Sequence, residues 1–193
     1  VYDDCGVCAG DNSTCADCLG NANGDAVCLS IGTIDSDNGT VEILYESAQS
    51  IAGFQFELSA INITGGSTGL GAGNLTTESG SELVVGLGMN GELLPAGSGT
   101  LATINFDQPT SDVTSCLTDA VISYAAGAYP SSIDLPSCIT IDGCDDVDTD
   151  GICDDVDNCI GVCLSIGTID SDNGTVEILY ESAQSIAGFQ FEL

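Results

Sequence analysis

The stretch Asp146-Val147-Asp148-Thr149-Asp150-Gly151-Ile152-Cys153-Asp154-Asp155-Val156-Asp157 sets aspartates at loop positions one, three, five, nine and twelve. Carboxylates at alternating positions can turn toward a common centre. Gly151 at position six permits the sharp turn that this requires, and Ile152 at seven can offer its backbone carbonyl. Asp146, Asp148, Asp150, the Ile152 carbonyl, Asp154 and Asp157 thus form an oxygen-only ligand set suited to calcium. Asp at position twelve is a methylene shorter than the usual Glu, which makes bidentate closure harder. The bland reading is a solvated acidic linker, but carboxylates this close repel one another unless a cation sits among them. Asn21, Asn23 and Asp25, within Asn-Ala-Asn-Gly-Asp, offer a second oxygen-bearing turn. A plain Asn-Gly turn accounts for the same residues and is the reading preferred there.

The second chemistry-bearing set is sulfur. There are eleven cysteines, and Cys163 falls within a duplicated stretch as the copy of Cys28. Without it an even set remains: Cys5, Cys8, Cys15, Cys18, Cys28, Cys116, Cys138, Cys144, Cys153 and Cys159. Cys5-Gly-Val-Cys8 and Cys15-Ala-Asp-Cys18 have the CxxC spacing of zinc sites. Their close succession and their Asp, Asn and Gly flanks favour disulfides, and so an oxidising, extracellular compartment. Connectivity stays open at this stage.

What the chain lacks excludes more than what it has. It contains no Lys, Arg or His against thirty Asp and Glu, a formal charge of −30. Nothing here can neutralise phosphate, so nucleic acid is excluded as a partner, and anionic membrane surfaces are disfavoured. No apolar run approaches the ~20 residues of a membrane-spanning helix, so membrane insertion is not expected. Imidazole bases and Schiff-base lysines are ruled out. A carboxylate-pair hydrolase needs neither, but no such pair stands in apolar text, and an enzyme is not expected. With 43% hydrophobic residues the chain has enough apolar content to fold. Something other than side chains must offset its charge, and calcium is the expected cofactor. Sequons at Asn12, Asn38, Asn62, Asn74 and Asn173 offer glycan attachment, with Asn38 and Asn173 in tight turns and therefore poorer acceptors. The preferred candidates are Asn12, Asn62 and Asn74.

These groups need elements to hold them. Residues 1–26 have too few large apolar side chains for a core and depend on disulfides and ions. Residues 27–142 read as one β domain. In Thr40–Glu46, Val41, Ile43 and Tyr45 share a face; in Ile51–Leu58, Phe54, Phe56 and Leu58 point inward and Gln55 and Glu57 outward. Further strands are expected over 81–88, 100–107, 112–124 and 132–141. Turns are expected at Asp37-Asn38-Gly39, Gly65-Gly66, Gly71-Ala72-Gly73 and Asn90-Gly91. Residues 143–161 form the acidic, Cys-rich linker.

Residues 162–193 repeat residues 27–58 letter for letter, a shift of 135 positions. A perfect internal copy implies a tandem array, with scaffold, adhesin or filament roles ahead of catalysis. The chain opens on Val1 with no initiator Met or signal peptide, as expected of a mature stretch or a window on a longer repetitive protein. Joining Gly161 to Val1 also reads as one linker, so the repeat length is 135 or 161. The second copy holds about three strands without the rest of the sandwich. Phe189 and Phe191 are expected to lie exposed unless residues 162–193 pack on residues 59–142 of another copy, or the covalent chain supplies that partner.

Three resemblances add to this. Asp146 to Cys159 resembles a thrombospondin type 3 repeat, which implies calcium held by Asp146, Asp148, Asp150, the Ile152 carbonyl, Asp154 and Asp157. Asp4-Cys5-Gly6-Val7-Cys8-Ala9-Gly10-Asp11-Asn12-Ser13-Thr14-Cys15 resembles the Cys-Gly-Val-Cys repeats of large secreted proteins, with Ala9 where Gly is usual. Gly39-Thr40-Val41-Glu42-Ile43, Ile51–Leu58 and Leu87–Leu101 with Pro95-Ala96-Gly97-Ser98-Gly99 resemble a cohesin. Together they imply an all-β, cohesin-like β-sandwich of jelly-roll type between Cys- and Asp-rich calcium linkers. The expected function is a calcium-stiffened, disulfide-bonded unit of an extracellular filament, partnered by copies of itself. The alternative is a cohesin-like or carbohydrate-binding adhesion module displayed in an array.

Overall fold

The computed structural model describes residues 2–11, 13–72, 74–77, 82–125, 127–147, 153–154, 161–182 and 185–190. Eleven strands run in order through the central part of the chain: β1 Val27–Asp35, β2 Thr40–Ser47, β3 Ile51–Leu58, β4 Asn62–Ser67, β5 Leu75–Thr77, β6 Leu83–Leu87, β7 Gly97–Asp107, β8 Val113–Ser115, β9 Leu117–Tyr124, β10 Ile133–Asp134 and β11 Ile139–Ile141. One sheet has the order β10-β1-β2-β7-β4 and a second the order β5-β6-β3-β9; β8 pairs with β11. The protein is nearly all β, and among the described residues the helical structure is one 3-10 turn, Ser13–Cys15.

Period-two patterning explains the two layers. Val41, Ile43 and Tyr45 of β2 and Phe54, Phe56 and Leu58 of β3 are buried, as their alternation predicts. They join Val27, Leu29, Leu101, Ile104 and Phe106 from the first sheet and Val84, Leu117, Ile122 and Tyr124 from the second in one core. The Phe54 and Phe56 rings stack at 5.8 Å. The Tyr45 hydroxyl donates to the Pro95 carbonyl at 2.8 Å, which satisfies the polar end of a buried ring.

The strand map departs from the sequence reading in three places. Gly65 and Gly66, expected as a turn, lie within β4 opposite Asn105 and Ile104, after a register shift between Ile63 and Gly65. A Cβ on Gly66 would crowd the Thr103 carbonyl, so the glycine serves a close backbone approach at a bulged edge strand rather than a reversal. Residues 112–124 and 132–141, expected as single strands, each break where the chain changes sheets. The breaks fall at Cys116, between β8 and β9, and at 135–138, between β10 and β11. The Cys116–Cys138 disulfide joins them. In addition, β4 and β5 form strands that the sequence reading did not single out.

The second copy forms two further strands, β12 Val162–Asp170 and β13 Thr175–Ser182, which pair in a sheet of their own. Their register repeats that of β1 and β2, down to the shift between Ile166 and Ile169 that mirrors Ile31 and Ile34. Residues 185–190, the counterpart of most of β3, are not a strand. The reason is pairing: β3 is held between β6 and β9, and nothing equivalent flanks its copy among the described residues.

Candidate functional site

Of the expected calcium ligands, Asp146 and Asp154 lie among the described residues; Asp148, Asp150, Ile152 and Asp157 lie outside them. The loop that carries them is closed at its base. Cys144 and Cys153 are bonded, the Asp154 N–H donates to the Asp145 carbonyl at 2.8 Å, and Asp154 Oδ1 accepts the Val147 N–H at 3.1 Å. Gly143 donates to Asp112 Oδ1 at 3.0 Å and Cys144 to the Pro109 carbonyl at 2.9 Å, which docks the loop base on the sandwich. Asp37, Gln108, Asp145 and Asp154 line one cavity of about 360 Å³ there. Among the described residues no group of three or more His, Cys, Asp or Glu is set to hold a metal.

The residues of the second expected calcium turn have separate partners. Asn21 Nδ2 donates to Asp17 Oδ2 at 3.5 Å, Asn23 Nδ2 to the Asp4 carbonyl at 3.0 Å, and Asp25 Oδ1 accepts from the Ser131 N–H at 3.1 Å. The residue that organises this turn is Asp17, which the sequence reading passed over. Its carboxylate accepts backbone N–H groups of Asn21 at 2.9 Å, Leu19 at 3.1 Å and Ala26 at 3.2 Å. Hydrogen bonding to the charged form, led by the Asn21 N–H, holds its pKa below the usual carboxylate value. Asp3 repeats the arrangement fourteen residues earlier, with Val7 N–H on its Oδ1 at 2.7 Å. Asp3, Gly6 and Gly10 match Asp17, Gly20 and Gly24, and a Cβ on Gly10 or Gly24 would collide with the matching carboxylate. The Asp-x2-Gly-x3-Gly spacing, found twice, is the sequence signal that reveals it.

Two ten-residue disulfide loops fix these turns, Cys5–Cys15 and Cys18–Cys28. Each CxxC pair is therefore not one zinc half-site. Cys163 is also disulfide-bonded, as its counterpart Cys28 is. One expectation is corrected: Cys8, counted in the disulfide set, is an exposed free thiol. It sits where the second turn has Ala22, and Cys5 has already paired with Cys15. Cys159 and Asn12 lie outside the described residues. Asn62 donates to Asp107 and Asn74 Nδ2 to the Leu70 carbonyl at 2.5 Å, whereas the Asn38 and Asn173 amides are held by Asp35 and Asp170 in the hairpin turns.

The sandwich is similar to cohesins. One match is to a type I cohesin–dockerin complex from Clostridium thermocellum, at 13% identity, covering 61% of this chain and 93% of that one, with a TM-score of 0.41. A non-cellulosomal cohesin from the hyperthermophilic archaeon Archaeoglobus fulgidus matches at 17% identity, covering 61% and 84%, with a TM-score of 0.35. No protein-family model matches the sequence, and neither does any curated protein.

The repeated hairpin exposes apolar side chains that its first copy buries. Val27 and Tyr45 are 0% and 3% exposed; their copies Val162 and Tyr180 are 57% and 66% exposed. Val162, Leu164, Ile178, Tyr180, Ile186 and Phe189 line an open groove of about 550 Å³. No helix among the described residues is long and apolar enough to cross a membrane. The four disulfides whose partners both lie among the described residues are compatible with an extracellular setting.

Proposed function

We propose that the chain is a structural unit of an extracellular tandem array, a filament or surface fibre in which disulfide-bonded β-sandwiches follow one another through calcium-stiffened linkers. The observation that carries this reading is the identical second copy of residues 27–58, which makes the module the repeating element of a line. The motif Asp146 to Asp157 supplies the linker's cation site. Asp146, Asp148, Asp150, the Ile152 carbonyl, Asp154 and Asp157 are its proposed ligands, and calcium bound there offsets the local concentration of carboxylates. Asp154 Oδ1 is engaged by the Val147 N–H, which leaves Oδ2 for a cation. In this role the protein bears load and spans distance without turnover. Calcium titration by calorimetry tests the site. Saturable heat that Asp148→Asn with Asp150→Asn abolishes supports it; equal heats from both proteins refute it.

A second reading, an arrayed adhesion module, draws on the outer face of the four-stranded sheet. Val121 and Leu87 are exposed there, and Val121, Gln55 and Val85 stand in register across three strands. The matched type I cohesin is in complex with a dockerin, and an apolar face of this kind suits a protein partner. Binding of a dockerin or glycan panel, lost in Val121→Glu, favours this reading over a purely structural one.

A further inference from the structure

The five-stranded sheet turns one face away from the core, and strand pairing fixes what stands on it. Cys28 of β1 lies opposite Asp134 of β10 on one side and Glu46 of β2 on the other, and Glu46 lies opposite Ser98 of β7. Residues in one such row share a face, so two exposed carboxylates flank Cys28 about 10 Å apart, two strand spacings. The Cys18–Cys28 disulfide stands between them. In the next row the half-buried Leu44 sits between Ser30 and Thr100, close enough to Gly32 that a Cβ there would meet Leu44 Cγ at 3.1 Å. The disulfide, Leu44 and the two carboxylates line one open groove of about 600 Å³. Its floor is apolar and its flanks are anionic.

Neither Glu46 nor Asp134 has a hydrogen-bond or ion-pair partner among the described residues, whereas Glu42 on the same face accepts the Thr33 N–H at 3.3 Å. These 193 residues hold no Lys, Arg or His, so a cationic occupant must come from a different molecule. A second copy of this sequence would set carboxylate against carboxylate. A calcium ion needs its oxygens within about 2.6 Å and cannot join groups 10 Å apart. Lys and Arg suit both parts of the groove, because their apolar stems can lie along Leu44 and the disulfide while their charged heads reach the carboxylates. In an extended segment, residues two apart share a face at about 6.7 Å, and side chains of this length splay far enough to meet both flanks. We propose that this groove docks an extended segment of another protein that presents Lys or Arg at alternate positions.

This inference rests on neither reading of the function, since the groove lies on the opposite sheet from Val121 and outside the acidic linker. The probe is the capped peptide Ser-Lys-Ser-Lys-Ser, titrated into the isotopically labelled chain and followed by amide NMR shifts. Sodium chloride is held at about 0.15 M, where exposed charges are screened beyond ~8 Å, and the titration is run in calcium and in EDTA. Saturable shifts are expected at residues 28–30, 44–46, 98–100 and 134 in both buffers. The reordered peptide Ser-Ser-Lys-Lys-Ser, whose adjacent lysines face opposite ways, binds about fivefold more weakly, the loss of one exposed ion pair. Glu46→Gln with Asp134→Asn weakens the first peptide about tenfold, with both pairs gone. Glu57→Gln with Asp119→Asn removes the same charge from β3 and β9 of the other sheet and leaves binding unchanged. Equal affinities for the two peptides, equal losses in the two double variants, or shifts spread over carboxylates across the whole chain mean attraction to net charge alone and overturn the proposal. So does a failure to saturate at millimolar peptide.

Discussion

Asp17 shows how a short, core-poor segment is ordered. Its carboxylate collects three backbone N–H groups that a loop this short could not otherwise satisfy, and Gly24 lets the chain pass against it. Its lowered pKa fixes the pH window. A carboxylate with a folded pKa below its unfolded value stabilises the fold above about pH 4, and that contribution is lost as pH falls through the folded value. Asp17→Asn should therefore melt below the unaltered protein at pH 6, with the two curves converging under acid; a constant offset down to pH 2 would contradict this. The thiol makes a second claim at this scale. Iodoacetamide applied to the native protein should alkylate Cys8 and spare Cys5, Cys15, Cys18 and Cys28, and mass mapping that finds Cys8 protected would count against the described pairing.

At the scale of elements, the two hairpins are one sequence in two settings. Asn38 and Asn173 each hold the turn through an aspartate three residues earlier, Asn38 N–H to Asp35 Oδ1 at 3.0 Å and Asn173 N–H to Asp170 Oδ1 at 3.0 Å. Only the first hairpin packs into the core. Asn38→Ala should cost about 1 kcal/mol in the urea unfolding of the sandwich, while Asn173→Ala leaves that transition in place. Equal shifts would mean that both hairpins unfold with the core. This contrast also marks how far the sequence can be read. The alternation in β2 and β3 gave their buried faces directly, because those strands face a core on one side only. Gly65 and Gly66 misled because glycine signals both reversal and close approach, and only the β7 backbone beside Gly66 separates the two. The breaks at Cys116 and at 135–138 were hidden because apolar text continues through a sheet change. The fold class and the hairpin faces were legible; the Asp17 turn was not, since its hydrogen bonds are to backbone and leave no periodicity. For the acidic loop, the motif itself remains the argument, because four of its six proposed ligands lie outside the described residues.

On the whole molecule, thirty carboxylates stand with no basic side chain to offset them. Such a chain repels itself over a Debye length of about 10 Å at 0.1 M salt, and the repulsion disfavours the compact state. Disulfides oppose it by restricting the unfolded chain, on the order of 2–3 kcal/mol for each of the nine- and ten-residue loops. They do not remove the charge. In the proposed role, bound calcium does so in the acidic linker, among Asp146, Asp148, Asp150, the Ile152 carbonyl, Asp154 and Asp157. The most direct test is thermal unfolding of the intact chain in calcium and in EDTA, with ionic strength matched by sodium chloride. Calcium at a hundred times its dissociation constant should add about 2.7 kcal/mol of stability, and the melting temperature should climb further with concentration. A melting temperature that is the same in EDTA as in millimolar calcium would contradict this role for the cation.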